Sequence, residues 1–184
     1  MSAATPTPGT YDIDIAHSNV GFSVRHLMVS KVRGSFDTFR GTVVIAEDPL
    51  QSTAEATIDA SSIDTGDANR DIHLKSADFF EVEKYPEFTF KSTSVRASGE
   101  DYILTGDLTV HGVTNSVDLA LEFNGAASDP QFGSRIGFSA STEISRKDFG
   151  VDISMPLDGG GVVVGDKVKL EIEVEALARV PASA

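Results

Sequence analysis

From Lys167 to Ala176 every even position is apolar (Val168, Leu170, Ile172, Val174, Ala176) and every odd one is charged. A period of two predicts a strand with one dry face and one wet face. The same period runs through Val117, Leu119, Leu121 and Phe123, through Tyr102, Leu104, Leu108 and Val110, and through Ile136, Phe138 and Ala140. It returns in Phe88 and Phe90 and, near the start, in Val20, Phe22 and Val24. Strands over 34–45 and 53–60 complete a set of about eight with short connections, an all-β pattern of the antiparallel barrel type. Phe36 and Phe39 are an odd number of positions apart, so they share a face only if a bulge intervenes. Gly34 and Gly41 are read as marks of such bends.

So many long strands left as an open sheet would expose edges that aggregate, and closure into a barrel removes them. The charged face of 167–175 has to be wet, which makes the opposite face a dry lumen and excludes a barrel with its apolar face toward lipid. One stretch breaks the pattern: Thr65 or Asp67 caps a short helix that ends near Lys75, followed by Phe79 and Phe80. This helix is expected to close one end of the barrel, either as plain core or as a gate.

With 28 acidic and 15 basic residues the net charge is −13, which repels nucleic acid. No apolar run is long enough to span a bilayer as a helix. The 184 residues fit one domain, expected over 10–179, with flexible tails at 1–9 and 180–184. The absence of cysteine removes disulfides, thiolate metal sites and thiol nucleophiles but leaves the compartment open. The N-terminus shows neither a basic nor an apolar signal region, so a cytoplasmic location is expected, or a periplasmic or secreted one if a signal has been removed.

Catalytic motifs are absent. There is no G-x-S-x-G elbow, and Gly159-Gly160-Gly161 lacks the continuation of a phosphate loop and is read as a flexible hairpin loop. His17, His26, His73 and His111 have no ligand spacing among them, so neither a metal nor another cofactor is expected. His17 is read as bonded to nearby backbone and His111 as a turn residue. Arg70, Asp71 and His73 form the densest polar cluster beside large apolar residues. Either Arg70 and His73 meet a polar headgroup at the barrel mouth, or the cluster is an ion-pair and capping network. Arg146 and Asp148 invite the same two readings.

The order of motifs carries a resemblance. Asp14 to His26 reads D-x-A-H-S-N-V-G-F-S-V-R-H, followed by Gly34-Ser35-Phe36, Ser62-Ile63-Asp64-Thr65, Arg70-Asp71-Ile72-His73-Leu74, Asp78-Phe79-Phe80 and Tyr85-Pro86. Then come Gly106-Asp107-Leu108-Thr109-Val110-His111-Gly112-Val113-Thr114 and Arg146-Lys147-Asp148-Phe149-Gly150. Together these resemble the YceI-like family over nearly all of 11–177. The resemblance implies a lipocalin-like barrel of about eight strands closed by a helix, binding a polyisoprenoid, an isoprenoid quinone or another long amphiphilic lipid. It implies no enzyme chemistry, and members that are often dimers.

Phe22, Val24, Phe36, Phe79, Phe80, Phe88, Phe90, Leu104, Leu108 and Phe138 are the expected lining, with Arg70 and His73 near the ligand's head. Burying about 500 Å² of ligand carbon would contribute roughly 12 kcal/mol, against association costs of about 4–15 kcal/mol. Two rivals remain: an enzyme for a small apolar substrate using His26 or His73 as general base, and a structural domain whose lumen is packed solid.

Overall fold

The structure, a computed structural model, describes residues 6–27, 29–152 and 164–180. Its strand segments are β1 (Gly9–Ile13), β2 (Asn19–His26), β3 (Ser30–Phe36), β4 (Phe39–Ile45), β5 (Thr53–Asp59) and β6 (Ile63–Asp64). Then follow β7 (Glu87–Ser98), β8 (Asp101–Val110), β9 (Val113–Asp129), β10 (Gly133–Ser145) and β11 (Val164–Ala178). They pair antiparallel in the order β1-β4-β5-β7-β8-β9-β10-β11-β2-β3-β6, and β1 also pairs with β11, which closes the sheet.

Both β1 and β2 pair with β11, one after the other along its length. Likewise β3 and β4 pair with β2 and β1, and β6 and β5 pair with β3 and β4. Each couple is therefore one interrupted strand, and the barrel has eight. Local chemistry makes the interruptions. The Asp14 carboxylate accepts from the Ala16 N–H (3.1 Å) and starts a 3₁₀ turn over Ile15–His17. Beyond it the Ser18 hydroxyl donates to the Glu175 carbonyl (3.2 Å) and accepts from the Glu175 N–H (3.0 Å), replacing ladder bonds that the turn removes. Asp59 caps the turn Ala60–Ser62 in the same way through the Ser61 N–H (2.9 Å).

The strand expected over 34–45 is two strands separated by Asp37 and Thr38, and that break puts both Phe36 and Phe39 inside. Gly9, expected in the tail, already pairs with Ile45 as the first residue of β1. Gly159-Gly160-Gly161 lies outside the described residues.

One α-helix is present among the described residues, α1 (Ala68–Lys75), with Asp67 as its N-cap accepting from the Arg70 N–H (3.1 Å). It lies in the connection from β6 to β7, two segments that do not pair with each other, and packs Leu74 against the barrel interior. Strand direction assigns the ends. The helix end carries the β2–β3 turn, the β6–β7 and β10–β11 connections and the β8–β9 turn; the far end carries the β4–β5, β7–β8 and β9–β10 turns. Phe36, Ala60, Ile63 and Phe88 form one buried cluster, with Leu74 of α1 and Phe80 packed on it. Tyr11, Ile45, Ile136 and Ala176 form a second, with Phe123 and Phe138 against it. No described helix is long and apolar enough to cross a membrane.

Candidate functional site: the barrel lumen

Residues of every strand meet around a cavity of about 870 Å³. It runs from Leu74, Phe79, Phe80, Phe149, Val151 and Val164 at the helix end to Pro49, Ser52, Glu100, Asp101 and Tyr102 at the far end. All ten apolar residues expected to line it do so: Phe22, Val24, Phe36, Phe79, Phe80, Phe88, Phe90, Leu104, Leu108 and Phe138. Four of the rings interlock at the helix end, with centroid separations of 5.6 Å for Phe22–Phe36, 5.3 Å for Phe36–Phe88 and 5.1 Å for Phe80–Phe88. Their tilted and edge-on geometry is the favourable one for aromatic pairs.

Two inward glycines shape this wall. A Cβ on Gly34 would collide with Cζ of Phe22, and one on Gly106 would collide with Cζ of Phe90. The rings thus lie in the space a side chain would take. Both glycines serve close approach of a ring, and at Gly34 this stands where the sequence suggested a bend. Gly41 likewise admits the Ile13 side chain and the Glu55 carbonyl.

Neither Arg70 nor His73 reaches the lumen lining. Arg70 donates to the Thr65 hydroxyl (2.7 Å) and carbonyl (2.8 Å), and Asp71 accepts from the Thr65 N–H (3.0 Å) and hydroxyl (2.6 Å). This network pins α1 to the strand before it. His73 is bonded to Asp78 (2.9 Å) and stacks edge-on against Phe79 at 5.0 Å. The remaining histidines also lie outside the lining. His17 bonds to the Asp14 carboxylate (2.8 Å) where a backbone partner was expected. His111 sits in the β8–β9 turn with φ of 54°, against Tyr85.

The buried charged side chain among the described residues that lines the lumen is Arg146, 7% exposed. Its guanidinium donates to the carbonyls of Gly165 (3.0 Å), Val151 (2.7 Å) and Val164 (3.3 Å), leaving two N–H groups without a protein acceptor among the described residues. No described carboxylate, Asp148 included, forms an ion pair with it. The 3₁₀ turn Arg146–Phe149, closed by Gly150 in the left-handed region (φ 74°), turns Arg146 and Phe149 inward together. The sequence signalled Arg146 only by residue type; its burial comes from the path of the chain between β10 and β11.

Away from the lumen, Asp14, His17 and Glu175 gather where the barrel closes. Arg135 sits among them, 2.6 Å from Asp14 and 2.9 Å from Glu175, so the cluster is an ion-pair clamp with its positive charge already supplied. The Arg135 and His17 bonds hold the Asp14 carboxyl down at about 2.

A family model for the YceI-like domain matches residues 11–176. A UPF0312 protein of Photorhabdus laumondii is 43% identical over 152 residues, covering 81% of this chain and 79% of its own. One from Staphylococcus aureus is 41% identical over 167 residues, covering 90% and 95%. Among solved structures, BcnA of Burkholderia cenocepacia is similar with a TM-score of 0.75 at 25% identity over 89% of this chain and 98% of its own. A polyisoprenoid binding domain from Saccharophagus degradans has a TM-score of 0.70 at 18% identity over 94% and 100%, a likeness of fold.

Proposed function

The chain belongs to the YceI-like domain family, and from that premise we propose that its barrel binds, stores or carries a long apolar or amphiphilic lipid, with a polyisoprenoid or an isoprenoid quinone as the favoured class. The observation that carries this reading is the 870 Å³ lumen, whose lining is overwhelmingly aliphatic and aromatic. A solid structural core would fill that space, since native interiors leave few voids larger than a water molecule. His26 and His73, the bases on which a catalytic reading would rest, both lie outside the lining, which favours binding. The Saccharophagus degradans domain, described as polyisoprenoid-binding, supports the ligand class through a shared barrel.

Arg146 is the donor placed to receive the ligand's head. A buried guanidinium with no carboxylate partner among the described residues is costly, and an anionic or hydrogen-bond-accepting group in the lumen would offset that cost. The chemistry selects a phosphate, a carboxylate or a carbonyl at the helix end, with the tail extending toward Tyr102 and the far end.

Lipid extracted from protein purified without delipidation from its native host should contain a prenyl or long-chain amphiphile at near-stoichiometric amount. A clean extract, combined with failure of the purified chain to take up a prenyl chain, overturns the reading. Arg146→Met should lower the preference for a prenyl phosphate over the matching prenyl alcohol by about tenfold or more, the worth of a hydrogen bond to a charged group. The ratio of two affinities is read because the substitution also leaves three carbonyls unpaired and costs stability.

A further inference from the structure

The molecule is acidic, yet its positive side chains are not spread evenly. Arg25 on β2 stands directly opposite Lys31 on β3, and Arg33 follows on the same outward face. Lys167 and Lys169 extend the group onto β11, which pairs with the other edge of β2. All five are exposed. Lys169 pairs with Glu171 (3.0 Å), while Arg25, Lys31 and Arg33 form no ion pair among the described residues. The nearby carboxylates are Glu143, opposite Lys169, Asp166, which accepts from Ser145, and Glu171. Like charges directly across two strands destabilise a sheet, so the Arg25–Lys31 pair needs a compensating role.

The turn between these strands is also unusual. Val29 is 83% exposed and Leu27 is 40% exposed, and Leu27 has φ of 52°, in the left-handed region that a bulky side chain enters only with strain. A hairpin tip normally carries Gly, Asn or Asp there. The chain instead holds two apolar side chains out into solvent, ringed by cations, at the helix end of the barrel.

We propose that this hairpin is a docking surface for an anionic lipid bilayer, with Leu27 and Val29 entering the headgroup boundary and Arg25, Lys31, Arg33, Lys167 and Lys169 meeting the negative surface. Charge complementarity selects the partner: basic groups around an apolar tip match anionic headgroups over acyl chains. The α1 side of the same end carries Asp64, Asp67, Asp78 and Glu81, so contact is confined to the hairpin corner and the barrel docks tilted. At near-physiological salt, charges more than about 10 Å from the surface are largely screened, so the corner acts against a net charge of −13. The inference concerns the outer surface and stands apart from the reading of the lumen.

The test is co-sedimentation of the purified full chain with vesicles of phosphatidylcholine alone or mixed with phosphatidylserine. Binding to the mixed vesicles and not to the neutral ones is expected. The variant R25E/K31E/R33E should lose about a hundredfold in affinity or more, at about fivefold per basic residue removed from the surface. Val29→Asp, which leaves every cation in place, should lose about tenfold or more by removing an apolar group that enters the bilayer. Unchanged thermal unfolding establishes that each variant is folded, and a conservative K31Q/R33Q variant supplies the reading if the triple variant is not. Lipid extracted from the variants reports the lumen separately and should match the parent. Equal binding to both vesicle types, binding to neither, or variants that bind like the parent would overturn the proposal. So would self-association of the chain that the same substitutions abolish, because the corner would then be an interface between copies.

Discussion

At the scale of single residues, the lumen is kept open by side chains that are missing as much as by those present. Phe90 lies across Gly106, and Phe22 across Gly34. Gly106→Val puts branched carbons where the Phe90 ring now rests, with the Lys91 carbonyl 2.8 Å from the new Cβ on the other side. The ring then has to swing inward. Overpacking of this kind costs about 1–3 kcal/mol, and its larger effect is on capacity: the variant should bind long prenyl chains more weakly than short ones, relative to the parent. Affinities measured across a series of chain lengths check this, and a uniform loss would place the ring's effect elsewhere.

Asp14 gives a prediction in pH. Its carboxyl, held at about 2 by Arg135 and His17, ionises far below the ordinary value of 3.8. A lowered native pKa contributes stability that is fully present above pH 4, where the unfolded chain is ionised as well. It is lost as pH falls from about 4 toward about 2, where the unfolded chain takes up the proton first. Asp14→Asn removes that contribution. The stability gap between parent and variant should therefore be widest at neutral pH and close as the pH falls through this window, as followed by denaturant midpoints. A gap independent of pH would mean that the clamp acts through packing alone.

At the scale of elements, α1 depends on its neighbours. Eight residues are too few to be stable as an isolated helix, so α1 rests on the Asp67 cap, the Thr65 network and the packing of Leu74. Asp67→Ala should cost about 1 kcal/mol, and Phe79→Ala, which empties a buried ring site beside the helix, about 3–5 kcal/mol. Only the second should also change ligand retention, because Phe79 lines the lumen and Asp67 does not. Equilibrium unfolding and lipid content of the two variants separate capping from closure.

The same elements show what is legible in a sequence. The long strands β7 to β11 were readable because burial on one face imposes a period of two, and that period also named the apolar lining. The interruptions at 14–18, 37–38 and 60–62 were not, because they depend on partners far along the chain, such as Ser18 against Glu175. β1 carries only Tyr11 and Ile13 inward, too short a run for a period to show. The helix was legible from its cap, but the direction of Arg70 was not: a cation beside apolar residues looks the same whether it turns to a ligand or to Thr65. Arg146 stayed indistinct because nothing local in R-K-D-F-G tells that the chain will bury it.

At the scale of the whole molecule, the stability of the barrel is tied to what the lumen holds. The two buried clusters sit toward opposite ends, and the space between them is wall without filling. The ladder closes that wall, but dispersion contacts across the cavity require an occupant. A ligand that binds only the folded barrel stabilises it by about 2.7 kcal/mol at a hundredfold excess over its dissociation constant. For a chain of this size that corresponds to a rise in melting temperature of roughly 5–10 °C. Protein unfolded, stripped of lipid and refolded should therefore melt lower than protein purified gently, and adding back a prenyl phosphate should restore the difference in a concentration-dependent way. A prenyl alcohol should restore less of it, because the tail fills the lumen but brings no phosphate to Arg146. If neither compound moved the transition, the aromatic lining would be acting as core rather than as a binding surface, and the apolar walls would serve the fold alone.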